Sequence, residues 1–138
     1  MTPALTATAL SSPDVAGGAV RAILRLEGLA ALAGAAALYA HAGASWRLFA
    51  ILFLVPDVSM LGYLAGPRVG AVAYNALHAY VGPFCLAVFG FALASETAVA
   101  VALIWAAHIG FDRALGYGLK FPTAFGDTHL GRVGRKAR

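Results

Sequence analysis

The chain has 138 residues, of which 61% are hydrophobic and only 12% are charged. An ordinary soluble domain carries about 25% charged residues, so this composition argues against a soluble globule, a disordered chain or a disulfide scaffold. It indicates a membrane protein instead. Ten Lys and Arg residues against six Asp and Glu give a formal charge of +4. They form no basic stripe with interleaved aromatic residues, so we expect no nucleic-acid partner.

Four long apolar stretches follow a leader, residues 1–20, that is rich in small and polar residues. Each stretch is close to the roughly 20 residues that a helix needs to cross a bilayer. Prolines inside two of them predict local distortions: Pro56 bends the chain directly before Asp57, and Pro83 leaves one backbone acceptor unpaired. The sequence therefore predicts an all-α fold, a four-helix transmembrane bundle over residues 21–120. The predicted spans are residues 22–41, 46–65, 69–94 and 97–119.

Residues 121–138 follow the last span as a cytoplasmic, amphipathic and basic tail. Its first part is too polar to span a membrane and too aromatic for an ordinary disordered tail. We expect Phe121, Phe125 and Leu130 to anchor this part beneath the bundle. The polar residues 127–129 would then lie across the mouth of the bundle and cap it, while the basic end contacts anionic lipid.

The distribution of Lys and Arg predicts the orientation, because cytoplasmic loops carry the excess of these residues. A cytoplasmic N-terminus puts eight of them on the cytoplasmic side and only Arg47 on the other, with Arg113 left inside the membrane. Since an even number of spans returns the chain to its starting side, both termini are predicted to be cytoplasmic. The eight residues are Arg21, Arg25, Arg68, Lys120, Arg132, Arg135, Lys136 and Arg138.

The strongly polar residues inside the spans all fall in one half of the predicted bundle. A helix rises 1.5 Å per residue, so the alternating direction of the spans converts sequence position into depth. A charged side chain at mid-bilayer costs at least ~2.5–3.5 kcal/mol, so these residues must pair with one another, line water or form a site. In the middle-to-cytoplasmic half lie Glu27, Asp57, Ser59, Asn75, His78, His108, Asp112 and Arg113.

Helical spacing brings some of these residues to a common face. His108 and Asp112 are four residues apart, as are Tyr74 and His78, so the members of each pair are neighbours on a helix. A carboxylate beside an imidazole fixes its tautomer and raises its basicity, which suits general acid–base catalysis. We therefore predict a candidate catalytic site formed by His78, His108, Asp57 and Asp112. The predicted supporting residues are Asn75, Arg113, Tyr74, Glu27 and Tyr117.

The residues leave several functions open, and they do not decide whether the protein is an enzyme. The site would bind or transform a lipophilic small molecule by acid–base chemistry, or hold a metal through the two histidines and one of the carboxylates. The alternative is a structural or transport-related subunit, in which the polar residues serve assembly or the passage of protons or cations. A buried cluster of Asp57, Asp112 and Arg113 that fixes helix register belongs to this alternative. No cofactor-binding motif is present, and the lipid bilayer and a second copy of the chain are the other expected partners.

Two stretches of the chain resemble a known family. One is residues 56–63 (PDVSMLGY), continuing to Tyr74, Asn75 and His78. The other is residues 108–113 (HIGFDR), followed by GYGLK at 116–120 and GDTHLG at 126–131. Together they resemble a family of small bacterial membrane proteins that is classified as a domain of unknown function, over about residues 21–134. The resemblance implies a multi-pass protein of the bacterial inner membrane, and it implies no activity.

Overall fold

The computed structural model of the protein describes residues 13–133, with side chains from residue 17 onward. Four helical stretches in this range are long and apolar enough to cross a membrane, which confirms the predicted four-helix transmembrane bundle. Two of these four spans are interrupted, so the four spans together comprise six helical elements. The helices are α1 (Pro13–His41), α2 (Trp46–Leu52), a 3-10 helix (Val55–Ala65), α3 (Pro67–His78), α4 (Val81–Ala92) and α5 (Glu96–Leu115), and the strands are β1 (Asp127–Thr128) and β2 (Gly131–Arg132).

Helix α1 runs antiparallel to α5 and packs against it. The Arg25 Nε group donates to the Ala114 carbonyl at 2.8 Å near one end. Further along, Gly28 and Gly110 let the two backbones approach so closely that a Cβ on either would meet the facing backbone, as is common where helices pack in lipid. The start of α1 and the end of α5 therefore lie at the same end of the bundle, which we call the base. Whether the base faces the cytoplasm stays a prediction.

Helix α1 begins at Pro13, so residues 13–20, which were expected to belong to the leader, continue the first span as helix. A proline suits the first position of a helix because its fixed φ is helical and its missing N–H would be unpaired there in any case. Residues 1–12 lie outside the described part of the chain, and so does the end of the predicted basic tail, residues 134–138.

The second span changes helix type at its centre. Helix α2 ends at Leu52, and the chain continues from Val55 as a 3-10 helix with Pro56 in its first turn. A proline cannot donate to the carbonyl four residues earlier, and its ring crowds that carbonyl, so it interrupts an α-helix. The bend predicted at Pro56 is therefore a change from an α-helix to a 3-10 helix. It leaves Asp57 in the first turn of the 3-10 helix, near the middle of the span.

The third span breaks at Ala79 and Tyr80, just before Pro83, where a kink was predicted. The break frees carbonyl groups that a continuous helix would have paired. Two long side chains of α5 donate to them: Trp105 Nε1 to the Leu77 carbonyl at 2.6 Å, and Arg113 Nη2 to the His78 carbonyl at 3.3 Å. Helix α5 thus compensates for the break and holds the end of α3 in place.

The fourth span ends four residues earlier than predicted, because α5 ends at Leu115 and not at 119. Gly116 follows in the left-handed conformation, with φ of 96°, which is the usual way for a glycine to terminate a helix. Beyond it, strands β1 and β2 form a small antiparallel hairpin, with Thr128 opposite Gly131.

The hairpin only partly follows the predicted anchoring beneath the bundle. Leu130 is buried, but Phe121 and Phe125 are each about half exposed. Phe125 packs edge to face on Tyr63 of the 3-10 helix, with centroids 5.1 Å apart. The Asp127 carboxylate stays within the hairpin, where it accepts a hydrogen bond from Thr123 and lies 3.5 Å from the Arg132 Nε atom. His129 reaches the bundle, where its ring contacts Arg113.

Candidate functional site

Three elements bring the four predicted site residues together. Asp57 comes from the 3-10 helix, His78 is the last residue of α3, and His108 and Asp112 lie one turn apart on α5. At 1.5 Å per residue, Asp112 and His108 lie about 5 and about 10 Å from the end of α5. The group, which we call the His–Asp cluster, therefore lies inside the membrane in the half of the bundle nearer to the base.

The potential ligand atoms of the His–Asp cluster converge on one point. The two Nε2 atoms of His78 and His108 are 3.1 Å apart. The Asp57 Oδ1 atom lies 3.5 Å from His78 Nε2 and 3.6 Å from His108 Nε2. The Asp112 Oδ2 atom lies 3.5 Å and 3.9 Å from the same two nitrogens. All four atoms lie within 4.8 Å of one another.

Tyr74 orients two members of the cluster. Its backbone carbonyl accepts a hydrogen bond from His78 Nδ1 at 2.9 Å, so His78 carries its proton on Nδ1 and points the lone pair of Nε2 at the cluster. The Tyr74 ring stacks on the His78 ring, with centroids 3.6 Å apart. Its hydroxyl donates to Asp112 Oδ2 at 2.8 Å. Such outer contacts are typical of metal ligands, since they fix the orientation of a ligand.

The cluster is closed on most sides and open on one. His78 and His108 are almost fully buried, and the Asp112 side chain is 14% exposed. The Asp57 side chain is 35% exposed, so access is on its side. An apolar groove of about 220 Å³ is lined by Pro56 and Leu77, the chain neighbours of Asp57 and His78, together with side chains of α2, the 3-10 helix, α4 and α5.

The predicted supporting residues do not all lie at the His–Asp cluster. Tyr74 contacts the cluster as described. Asn75 instead binds the backbone of Lys120, accepting from its N–H at 2.7 Å and donating to its carbonyl at 2.9 Å, and so ties the chain after α5 to α3. Tyr117 is 38% exposed at the base. Glu27 is exposed on α1 and lines a separate cavity there.

Arg113 does not form the ion-pair cluster that was considered as a structural alternative. Among the described residues, no carboxylate oxygen lies within 4.0 Å of its guanidinium group. The side chain turns away from Asp112, its neighbour in the chain, because successive residues of a helix point about 100° apart. It reaches the His78 carbonyl and the ring of His129 instead.

Lys120 is the residue near the site that the sequence reasoning missed. It is 96% buried (4% exposed), with its Nζ atom 4.1 Å from the Phe125 ring centroid and 5.0 Å from that of Tyr74. Burial lowers the pKa of its amine, and the Asp112 carboxylate partly opposes this. In the sequence Lys120 looks like an ordinary interfacial lysine. Of the aromatic rings around it, those of Tyr117 and Phe125 are near in the chain, but that of Tyr74 comes from α3.

Comparison with known proteins identifies a family. The model of the family described as "Domain of unknown function (DUF4260)" matches residues 21–133. Because this range covers most of the chain, the protein belongs to that family. No curated protein and no solved structure matches the chain.

Proposed function

We propose that, within this family, the His–Asp cluster is an intramembrane site for a divalent transition-metal ion and that the ion acts on a lipophilic substrate. One observation carries the proposal: four atoms with lone pairs, two imidazole nitrogens and two carboxylate oxygens, converge from three elements. The sequence left open a metal site formed by the two histidines and one of the carboxylates. The geometry favours using both carboxylates.

The spacing of the four atoms suits tetrahedral coordination. Zinc binds nitrogen and oxygen ligands at about 2.0–2.2 Å, which places neighbouring ligand atoms of a tetrahedron about 3.3–3.5 Å apart. The five distances between nitrogen and its neighbours in the cluster run from 3.1 to 3.9 Å. Imidazole and carboxylate together are also ligands that zinc, iron and manganese accept.

The supply of protons in the cluster also favours a cation. The Tyr74 hydroxyl donates to Asp112 Oδ2. Because His78 donates from Nδ1 to a carbonyl, its Nε2 atom offers only a lone pair, and the imidazoles supply at most the one proton of His108 Nε2. His78 Nε2 and Asp57 Oδ1 both lie near that proton, and at least one of them is left without a donor from an imidazole. An unpaired acceptor in the interior is costly. His108 Nδ1 has no partner among the described residues. Because this holds for either tautomer, that atom does not distinguish a metal-bound cluster from a metal-free one.

Charge balance supports a divalent ion in particular. Two neutral imidazoles and two carboxylates carry a charge of −2, which a divalent cation would neutralise. A neutral assembly suits an environment where unpaired charge is expensive. A bound divalent ion would act as a Lewis acid toward an oxygen of the substrate or toward a water molecule.

The surroundings of Asp57 favour a lipophilic substrate. The cluster is accessible on that side, and Pro56, the chain neighbour of Asp57, lines a groove with apolar side chains such as Leu52 and Leu86. A hydrocarbon chain in the groove would bring a polar end toward the cluster. The Lys and Arg distribution supports the cytoplasmic half of the membrane, and the family resemblance supports a bacterial inner membrane.

Metal analysis of the purified protein tests the proposal. Wild-type protein in detergent is expected to hold about one divalent ion per chain. His78→Ala, His108→Ala and Asp57→Asn are each expected to lose it. The matched controls are His41→Ala and Asp127→Asn, which remove the same groups outside the cluster and should keep the ion. Equal metal content in wild type and in correctly folded cluster variants would refute the proposal.

The 3.1 Å contact between the two Nε2 atoms also favours a second candidate, the transfer of a proton through the cluster. A path across the membrane would have to pass through the other half of the bundle, whose described interior is formed by Tyr39, Ala100 and Ile104. Proton flux into vesicles that contain the protein measures this directly. Flux that His108→Ala abolishes, in metal-free protein, would favour the relay over the metal site.

A further inference from the structure

A second polar cavity, separate from the His–Asp cluster, lies at the base between α1, the break in the third span and the hairpin. Its volume is about 210 Å³. Its polar lining residues are Glu27, Tyr80, Arg113 and His129, and its apolar ones include Leu24 and Ala31 of α1. We call it the base cavity.

The base cavity holds a cation without an anionic partner. Arg113 is partly buried, and no carboxylate oxygen of the described residues lies within 4.0 Å of it. A guanidinium group near a membrane core is costly to leave uncompensated. Its position therefore favours an anion supplied from outside the chain.

His129 adds a second donor at the same point. The Leu119 N–H donates to His129 Nδ1 at 2.8 Å, so the neutral ring carries its proton on Nε2. That atom lies 2.8 Å from Arg113 Nη1, and a guanidinium group has no acceptor. The two donors face each other, and the one acceptor near them, His129 Nδ1 at 3.2 Å from Arg113 Nη1, already accepts from the Leu119 N–H. An anion with several oxygens would accept from both.

Glu27 supplies the opposite charge in the same cavity. It lies on α1 one turn from Leu24 and Ala31, and it forms no ion pair with any described residue. Arg113 and Glu27 thus line one cavity without pairing with each other. Such an arrangement suits a ligand that carries a negative and a positive group close together.

The depth of the base cavity matches the head-group region of a bilayer. Arg25, two residues before Glu27, binds the Ala114 carbonyl at the end of α5, so the cavity lies where the fourth span leaves the hydrocarbon core. Leu24 is one turn nearer to the start of α1, and Ala31 one turn deeper. Basic pockets between helices at this level bind lipid head groups.

We propose that the base cavity binds the head group of a zwitterionic phospholipid, a phosphodiester that carries a primary amine, as in phosphatidylethanolamine. Arg113 and His129 donate to the phosphate oxygens, and the Glu27 carboxylate accepts from the ammonium group. The proposal uses none of the residues of the His–Asp cluster, and the two sites meet only where Arg113 donates to the His78 carbonyl.

Native mass spectrometry of the full chain, released from nanodiscs of equal parts phosphatidylethanolamine and phosphatidylglycerol with identical acyl chains, tests this site. Wild-type protein is expected to retain the ethanolamine lipid about tenfold over the glycerol lipid, the scale of one charge-assisted contact. Glu27→Gln should remove most of that preference, and Arg113→Gln should reduce total retained lipid about tenfold. Arg25→Gln, a change at the same level outside the cavity, is the matched control and should behave as wild type.

Because Arg113 also caps the His78 carbonyl, a second variant separates binding from folding. His129→Phe alters only the hairpin side of the cavity and should lower lipid retention several-fold while metal content stays at the wild-type level. Competition with free phosphoethanolamine and with inorganic phosphate separates the sources of the phosphate. Displacement by millimolar free phosphoethanolamine would assign the site to a soluble ligand. Equal retention of both lipids by wild type, or unchanged retention in both Arg113→Gln and His129→Phe, would overturn the proposal.

Discussion

The two ends of the bundle are held together by different interactions. At the end opposite the base, Tyr39, Ala100 and Ile104 are buried among apolar side chains. The Tyr39 ring meets the Phe49 ring edge to face, with centroids 5.1 Å apart. We call this the aromatic end. The base half instead buries His78, His108 and Lys120. Apolar packing thus stabilises the aromatic end, whereas the base half buries ionisable groups. Ionisable residues inside a membrane are candidates for a functional site.

Phe53 joins the two ends. Its ring stacks on Phe49, with centroids 5.4 Å apart and an angle of 19°, and meets the ring of His108 edge to face at 5.3 Å. The aromatic end therefore supports one face of a cluster residue. The comparison predicts that changes at the two ends will affect stability and ligand binding separately, except through Phe53.

Tyr39→Ala should produce the largest loss of stability. Tyr39 is fully buried, and its hydroxyl donates to the Ser45 carbonyl at 2.7 Å. Truncating a buried aromatic residue costs about 3–5 kcal/mol, which unfolding in detergent by a denaturant titration would measure. Metal content per folded chain should remain that of wild type. Loss of the ion from folded Tyr39→Ala protein would break the proposed division between the ends.

Removal of the metal ion by a chelator should destabilise the base half. If the wild-type protein holds its ion at about 1,000 times the Kd, removing it lowers the free energy of unfolding by about 4 kcal/mol. Hydrogen exchange should then speed up around His78 and His108 and change little around Tyr39. In His108→Ala protein, chelation should have no effect on either region. A response to chelation that survives this substitution would place the ion elsewhere.

Tyr74→Phe keeps the ring that stacks on His78 and removes the hydroxyl that donates to Asp112. Loss of such an outer contact typically weakens metal binding about 10- to 100-fold. Competition with a chromogenic chelator would measure the change. Tyr117→Phe, which alters an exposed tyrosine at the base, is the control and should leave the affinity unchanged. Equal affinities for both variants would show that Tyr74 does not orient a ligand.

The smallest effect concerns the pH dependence of the hairpin. Burial, and secondarily the charge of Arg113, lowers the pKa of His129 below its usual 6.5. Protonation therefore favours the undocked segment, so the contribution of His129 is present above pH 6.5 and is lost as pH falls through the lowered pKa. Hydrogen exchange of residues 119–133, corrected for its intrinsic pH dependence and measured in detergent without phospholipid, should show this loss. His129→Phe should abolish the dependence and His41→Ala should preserve it.

Much of the architecture follows from the sequence because lipid imposes strict local rules. Span length, composition and the prolines at 56 and 83 each act over a few residues, so the four spans and both interruptions were predictable. The leader boundary was not, because residues 13–20 are helical without being strongly apolar. The end of α5 was placed too late, because Gly116 stops the helix before the apolar run is over.

The sequence by itself determined which residues would share one depth in the membrane, and that His108 and Asp112 would share one face, since the rise and turn of a helix depend only on the chain. Only the tertiary structure decided how the helices rotate against one another and which rotamers their side chains adopt. That rotation turns the two Nε2 atoms toward each other, keeps Arg113 out of reach of Asp57, and brings the Tyr74 ring of α3 over Lys120. Contacts between helices depend on packing over the whole bundle, which no local pattern encodes.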